Sequence, residues 1–286
     1  MERGQRNLVA WLGEADAGPE LLGGKGASLD RLGKLGFRIP RGFCLTTDAF
    51  RAQAASGSGP SDIATAPLDG SVRAELERAL GRLVTALGNT DGSVPGFAPR
   101  LAVRSSAVGE DGSAASYAGL HETELDVAPE GVADSVRRCW ASLWSAPAIA
   151  YRTRRGLADD AAEMAVVVQS LVPADASAVA FTRHPVTGRD DQMVVTAVRG
   201  LGDAMVAGTV TPDTYVIDKA SGAVLVFEPG EGLETPALSP AALDELVRLC
   251  LDVEARYGRA VDIEASMAAT TWYLLQARPI TTGAPS

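Results

Sequence analysis

The sequence predicts an α+β fold, and three observations lead there. Strand-like and helix-like segments are joined by hairpin signals, without the regular crossovers that a parallel sheet requires. The 286 residues are enough for a substantial core, in one large domain or two lobes. A hydrophobic share of 46% describes a chain that buries a core and does not stay disordered. No internal repeat interrupts this pattern.

Residues 8–12 form a short apolar run, read as a strand or as the lead-in to the first site. Leu22-Gly23-Gly24-Lys25-Gly26-Ala27-Ser28 follows, then Leu29, Leu32 and Leu35 at a spacing that suits one face of a helix ending near Gly36. Residues 39–43 are a Pro/Gly-bounded turn into a strand, and Thr46 or Thr47 caps a brief helix through Arg51. A connection rich in Ala, Ser, Gly and Pro spans residues 54–70. Val72, Leu76, Leu80, Leu83 and Leu87 then mark an amphipathic helix. Residues 89–99 read as a loop.

A buried strand is expected over residues 101–103, running into a loop of small residues that carries Arg104 and continues to Gly119. Residues 123–127 alternate as a half-exposed strand. Val132, Val136, Cys139, Trp140 and Leu143 suit a helix stopped by Pro147, and a further helix over 148–155 closes at Gly156. Strands are expected at 164–172, 178–182 and 192–198, with a hairpin over 215–218 and 223–228. Ser239-Pro240 starts a helix that Gly258 stops near Tyr257. The final strands, 261–264 and 271–278, pair through a turn at 267–270.

With 36 acidic and 26 basic residues the net charge is −10, which excludes a broad basic face for nucleic acid. A small pocket of a few cations is compatible with that field. Cys44, Cys139 and Cys250 are odd in number and lack metal-ligand spacing, so they read as buried thiols in a reducing cytoplasm. The start of the chain lacks a signal-peptide pattern, and no apolar stretch is long enough to span a bilayer. A cytoplasmic protein without membrane contact is expected.

Several groups carry chemistry. The three glycines around Lys25, ahead of a helix, combine backbone N–H groups, a helix dipole and an ammonium, which together suit an anion. The pattern is not a Walker A loop, because Pro19 and Gly26 stand at positions where that motif has Gly and Ser or Thr. The small residues after Arg104 leave N–H groups uncovered beside a guanidinium that can grip a phosphate. Glu264 and Gln276 lie on strands that can pair, offering a carboxylate and a carboxamide oxygen that suit magnesium. Arg278 shares strand parity with Gln276 and points to the same centre.

These segments occur in a telling order. Gly-Gly-Lys-Gly-Ala, Val103-Arg104-Ser105-Ser106-Ala107, Ser116-Tyr117-Ala118-Gly119 through Glu122-Thr123, Phe181-Thr182-Arg183-His184-Pro185, Gly200-Leu201-Gly202, Pro212-Asp213, Asp262-Ile263-Glu264 and Leu275-Gln276-Ala277-Arg278-Pro279 run through almost the whole chain. In this order they resemble the ATP-binding domain shared by phosphoenolpyruvate synthase, pyruvate phosphate dikinase and rifampicin phosphotransferase. The resemblance implies an ATP-grasp fold: an N-terminal lobe, residues 1–172, with the Lys25 and Arg104 phosphate loops, and a C-terminal lobe, residues 173–286, with the magnesium ligands, enclosing a nucleotide cleft. It implies that Lys25 and Arg104 hold phosphates and that Gly119 and Thr123 belong to a lid over them. Gln169 would lie by the adenine, Glu264 and Gln276 would carry Mg2+, and Arg278 would face the transferring phosphate. Arg104 and Arg278 would be the catalytic pair, in a clamp that positions and neutralises charge.

Family members resemble one another in carrying a swivelling domain with a phosphorylatable histidine and an acceptor-binding domain, whose motifs these 286 residues do not contain. His121 and His184 lack the glycine-rich surroundings of such a carrier, and local hydrogen bonding or exposure is expected of them. Asp203 stands where a glutamate is usual, Ala265 where a tryptophan is and Leu120 where a glutamine is. The expected function is the ATP-binding component of a split dikinase-type phosphotransferase, passing the β-phosphate of ATP to a histidine on a separate carrier that works with an acceptor-binding protein. The alternatives are a stand-alone ATP-grasp kinase or ligase acting directly on a small molecule, and a non-catalytic nucleotide-binding interaction protein.

Overall fold

The computed structural model describes residues 7–57, 62–88, 99–109, 123–156, 162–231 and 235–280. The chain divides into two units: residues 1–34 with 40–171, and residues 35–39 with 172–286.

In the first unit an antiparallel sheet is built from β1 (Val9–Trp11), β2 (Gly42–Leu45), β3 (Leu101–Ala107), β4 (Thr123–Val127) and β5 (Met164–Ser170), in the order β1-β2-β5-β3-β4. Among the described residues the α-helices α1 (Pro19–Lys34), α2 (Thr47–Ala55), α3 (Gly70–Gly88), α4 (Val132–Ala141) and α5 (Ala146–Arg155) accompany it. Phe43, Val168 and Val103 stand in register across β2, β5 and β3. Side chains alternate along strands, so these three share one face with Leu45, Val166 and Leu101. That face forms a single core with Phe50 of α2, Leu76 and Leu83 of α3 and Trp140 of α4. The indole N–H of Trp140 donates to the Met164 carbonyl at 3.1 Å, so this large side chain is buried without an unpaired donor.

The opposite face of the same sheet carries Cys44, Val167, Arg104, Ser106 and Gln169. Helix α1 covers it closely: a Cβ on Gly26 would lie 3.1 Å from Cys44 Sγ. Covered on both sides, β5 is buried from Met164 to Gln169, which accounts for its unbroken run of Val residues.

The second unit has a six-stranded antiparallel sheet of β6 (Ala176–Phe181), β7 (Gln192–Arg199), β8 (Asp213–Asp218), β9 (Val224–Glu228), β10 (Val261–Ala268) and β11 (Thr271–Pro279), ordered β11-β10-β6-β7-β8-β9. Among the described residues α6 (Asp203–Val206) and α7 (Pro240–Tyr257) are its helices. Ile263, Ala180, Val195 and Tyr215 align across four strands and form the buried face. Helix α7 packs there with Leu246, Cys250 and Val253, and the Trp272 indole donates to the Ala242 carbonyl at 3.2 Å. Ser239 caps α7 by accepting the Ala242 N–H, and Gly258, at φ 69°, ends it. Residues 35–39 join this unit: the Arg38 carbonyl accepts the Leu274 N–H, and the Arg256 guanidinium donates to the Leu35 carbonyl and lies over the Phe37 ring.

The α+β expectation holds, with both sheets antiparallel. Three local expectations are corrected. Arg104 is not in a loop: β3 continues to Ala107, because α1 on one side and the core on the other bury every residue of Leu101–Ala107. The glycines around Lys25 do not all precede a helix; only Gly23 interrupts α1, and Gly24, Lys25 and Gly26 lie beyond the break within it. Pro147 does not stop a helix but stands in the first turn of α5, where its missing N–H costs nothing.

Candidate functional site

The first unit holds one half of the candidate residues, and its geometry begins at Gly23. With φ 66° and ψ 179°, Gly23 breaks α1 into a short turn and the helix proper, so Lys25 sits in the first turn after the break. Glycine is required there twice over: the backbone is left-handed, and a Cβ would lie 2.0 Å from the Ser106 carbonyl oxygen. Ser106, on β3, spans the break. Its Oγ accepts the Gly26 N–H at 2.9 Å and donates to the Leu22 carbonyl at 2.7 Å. Further along α1, Asp30 Oδ1 accepts the N–H groups of Gly13 and Ala15 at 2.9 and 3.0 Å, fixing the approach to the helix.

Arg104 lies two residues before Ser106, on the same face of β3, and is 8% exposed. Thr123 is its register partner on β4. Gln169 stands opposite Ala102 on one side and Gly42 on the other. Only a glycine fits there, since a Cβ on Gly42 would come within 2.7 Å of the Gln169 Cβ. Gln169 is 2% exposed, yet its Oε1 has no hydrogen-bond partner among the described residues. A buried amide oxygen left this way costs about 1–3 kcal/mol, so it marks a place for a donor. The structure thus gathers Lys25, Arg104, Thr123 and Gln169 on or beside one sheet face. Gly119 lies outside the described residues.

In the second unit, β10 and β11 pair so that Glu264 faces Gln276 and Asp262 faces Arg278. A bulge follows immediately, between Glu264 and Ala265, which re-aims side chains at that point of the ribbon. Gln276 is 1% exposed, and neither its Oε1 nor its Nε2 has a hydrogen-bond partner among the described residues. Arg278 Nη2 is 3.6 Å from Asp262 Oδ2 and 3.8 Å from Glu264 Oε1. Those are ion pairs beyond hydrogen-bond range, so they hold the guanidinium near the carboxylates without fixing its donors to them. Two carboxylates and one guanidinium sum to one negative charge, a balance that suits a cation brought in with phosphate. Among the described residues, no group of three or more His, Cys, Asp or Glu forms a metal cage. One carboxylate and one amide oxygen match magnesium, which keeps waters and takes substrate oxygens. Sequence reading assigned no role to Asp262, whose period-2 spacing from Glu264 was the available signal, and none to Ser106.

Other segments of the ordered set turn out to be scaffold. Asp213, fully buried, accepts the N–H groups of Gly230 and Ala237 at 2.7 and 2.6 Å and so ties down the chain after β9. Thr182 Oγ1 accepts the Val261 N–H and donates to Glu254, which also pairs with Lys219. His184 Nδ1 accepts the N–H groups of Val186 and Thr187, the local role expected of it; His121 lies outside the described residues. Ser177 Oγ donates to the Gly200 carbonyl and shares a hydrogen bond with Ser266. Burial pushes the Cys44 thiol well up, with the Asp30 carboxylate adding to it, and does the same to Cys250, so neither is a nucleophile. No helix among the described residues is long and apolar enough to cross a membrane.

The model of the family "Pyruvate phosphate dikinase, AMP/ATP-binding domain" matches residues 19–285. The prodigiosin synthesizing transferase PigC of Serratia marcescens is 35% identical over 97% of this chain and 33% of its own length. A rifampicin phosphotransferase of Streptomyces sviceus is 35% identical over 92% of this chain and 34% of its own. A phosphoenolpyruvate synthase of Aeropyrum pernix is 32% identical, over 97% and 43% respectively. The chain therefore spans about a third of the length of the first two relatives and less than half of the third. Among solved structures, D-alanyl-alanine synthetase A of Vibrio cholerae is similar at a TM-score of 0.39 and 11% identity, over 90% of this chain and 55% of its own, a likeness too slight to argue from. With almost its whole length matched, the chain belongs to the pyruvate phosphate dikinase AMP/ATP-binding domain family.

Proposed function

We propose that this chain binds ATP with magnesium and starts a dikinase-type phosphoryl transfer, in which the β-phosphate passes to a histidine on a separate carrier. The histidine attacks the β-phosphorus and AMP leaves with the bridging oxygen. Water then cleaves the β–γ bond, so that the γ-phosphate departs as inorganic phosphate and the β-phosphate stays on the histidine. The observation that carries the reading is Gln276: a buried amide with no partner among the described residues, directly opposite Glu264 and two residues from Arg278. Magnesium, held by Glu264 and Gln276, would neutralise phosphate charge when bound.

The remaining work belongs to the chain's own side chains. Lys25 and Arg104 pair with phosphate oxygens, and the helix start after Gly23 adds a dipole that favours an anion. Gln169 offers its buried Oε1 to an amine, which suits the exocyclic amine of adenine. Thr123, beside Arg104, and Gly119 would close over the phosphates. Arg278, held loosely by two carboxylates, can turn its donors to the group in transfer. A loose phosphoryl transition state is stabilised by this kind of positioning and charge, with little covalent help from the protein.

The test uses the 286-residue chain. Calorimetric titration with ATP in millimolar magnesium is expected to show binding that EDTA removes, and Glu264→Gln with Gln276→Ala should weaken it at least tenfold. Resolving nucleotides after mixing with a carrier domain from a related phosphoenolpyruvate synthase should show AMP. ADP as the only product overturns the dikinase route, and no heat overturns nucleotide binding. One relative is named a prodigiosin synthesizing transferase, which keeps a second reading in play: a direct transfer to a small molecule. That reading expects acceptor-dependent ADP from the chain alone.

A further inference from the structure

Lys25 occupies a turn that its own sequence cannot hold still. It is flanked by Gly24 and Gly26 and follows Gly23, so three residues of high backbone freedom surround it. A helix start is ordinarily fixed by a Ser, Thr, Asp or Asn side chain at its N-cap, which accepts an N–H from the first turn. Gly23, at the break, has no side chain to do this. The hydroxyl that accepts the Gly26 N–H comes from Ser106, 80 residues away on β3. The same oxygen donates to the Leu22 carbonyl on the far side of the break. Ser106 is fully buried and shares a strand face with Arg104.

We propose that Ser106 is a positioning residue for nucleotide binding: it caps the Lys25 turn from the neighbouring strand and thereby sets the ammonium of Lys25 in register with the guanidinium of Arg104. The proposal rests on the nucleotide reading given above and adds to it a specific dependence of Lys25 on a residue that touches no phosphate. Without the hydroxyl, the Gly26 N–H and the Leu22 carbonyl lose a buried partner together, and the glycine-flanked turn can settle elsewhere. Ser105 supplies a control on the same strand. It is equally buried but faces the opposite side, and its Oγ has no partner among the described residues.

The experiment is calorimetric titration of the full chain with Mg-ATP for wild type, Ser106→Ala, Ser105→Ala, Lys25→Met and the double variant Ser106→Ala/Lys25→Met. Ser106→Ala is expected to weaken binding about five- to tenfold, the scale of losing a cap. Ser105→Ala should stay within about twofold of wild type. In the Lys25→Met background, Ser106→Ala should change nothing further, because the group it positions is gone. Equal weakening with and without Lys25 would show general loosening of the fold and overturn the proposal, as would unaltered binding by Ser106→Ala. If wild type itself gives no heat, the nucleotide reading falls and this proposal with it. Should circular dichroism show that Ser106→Ala does not fold, Ser106→Cys, of similar shape but a poor acceptor, takes its place in the same cycle with the same expected and overturning results.

Discussion

Gly23 shows how much a single residue decides here. Its φ of 66° belongs to the left-handed region, and the space where a Cβ would stand is taken by the Ser106 carbonyl. Neither conflict can be relieved by rotating a flexible side chain, since one is backbone and the other is the residue's own dihedral. Gly23→Ala should therefore destabilise the chain by about 3 kcal/mol or more, measured as a lowered urea midpoint. Gly36 makes a useful contrast: its φ is 83°, but nothing lies within 4 Å of its Cβ position, so Gly36→Ala meets only the backbone strain. The sequence showed a cluster of glycines beside Lys25. It did not show which one breaks the helix, because that depends on β3 pressing against α1 from 80 residues away.

Among elements, β4 is the strand that presents Thr123 opposite Arg104, and it is anchored by its neighbour in sequence. Glu124 accepts two hydrogen bonds from the Arg138 guanidinium of α4 and one from the Ser135 hydroxyl. The Arg138 hydrogen bonds hold the Glu124 carboxyl below the usual glutamate value, against the opposing effect of desolvation. A carboxyl depressed in the folded state contributes stability that is complete above its unfolded pKa and disappears as the pH falls through the folded one. Glu124→Gln is thus expected to cost about 1 kcal/mol near pH 7, a value kept small by partial solvent screening. The gap from wild type should narrow once the pH drops below about 4, as chemical denaturation at several pH values will reveal.

The α4 helix itself was readable from the spacing of Val132, Val136, Cys139 and Trp140, all buried. The length of β3 was not. Arg-Ser-Ser-Ala reads as a loop by composition, and it becomes strand only because β5 pairs with it throughout and α1 covers its second face. That Glu264 and Gln276 lie on strands that pair was legible, but their direct register was not. The turn expected at 267–270 is confined to residues 269 and 270, since Met267 pairs with Trp272 and Ala268 with Thr271, and a bulge after Glu264 shifts the pairing by one residue. The bulge beside that pair left no trace in the alternation.

Taken whole, the chain holds two separate cores, and its cysteines lie inside them: Cys44 and Cys139 in the first unit, Cys250 in the second. Thiol chemistry needs an exposed thiolate. Ellman's reagent should leave all three thiols of the native chain unmodified over minutes and titrate all three in guanidinium. Rapid modification of the native chain would mean that a core opens far more readily than its burial implies.

The sequence by itself determined the α+β class and the order of the motifs, because these rest on residue type and on the short periods of helix and strand. Only the tertiary structure decided that Arg104 lies in a fully paired strand, that the Lys25 turn is capped by Ser106, and that residues 35–39 belong with β11. The physical reason is range. A helical face repeats within four residues and a strand face within two, but a cap, a covered sheet face or a shared core is set by partners that the chain brings together only on folding.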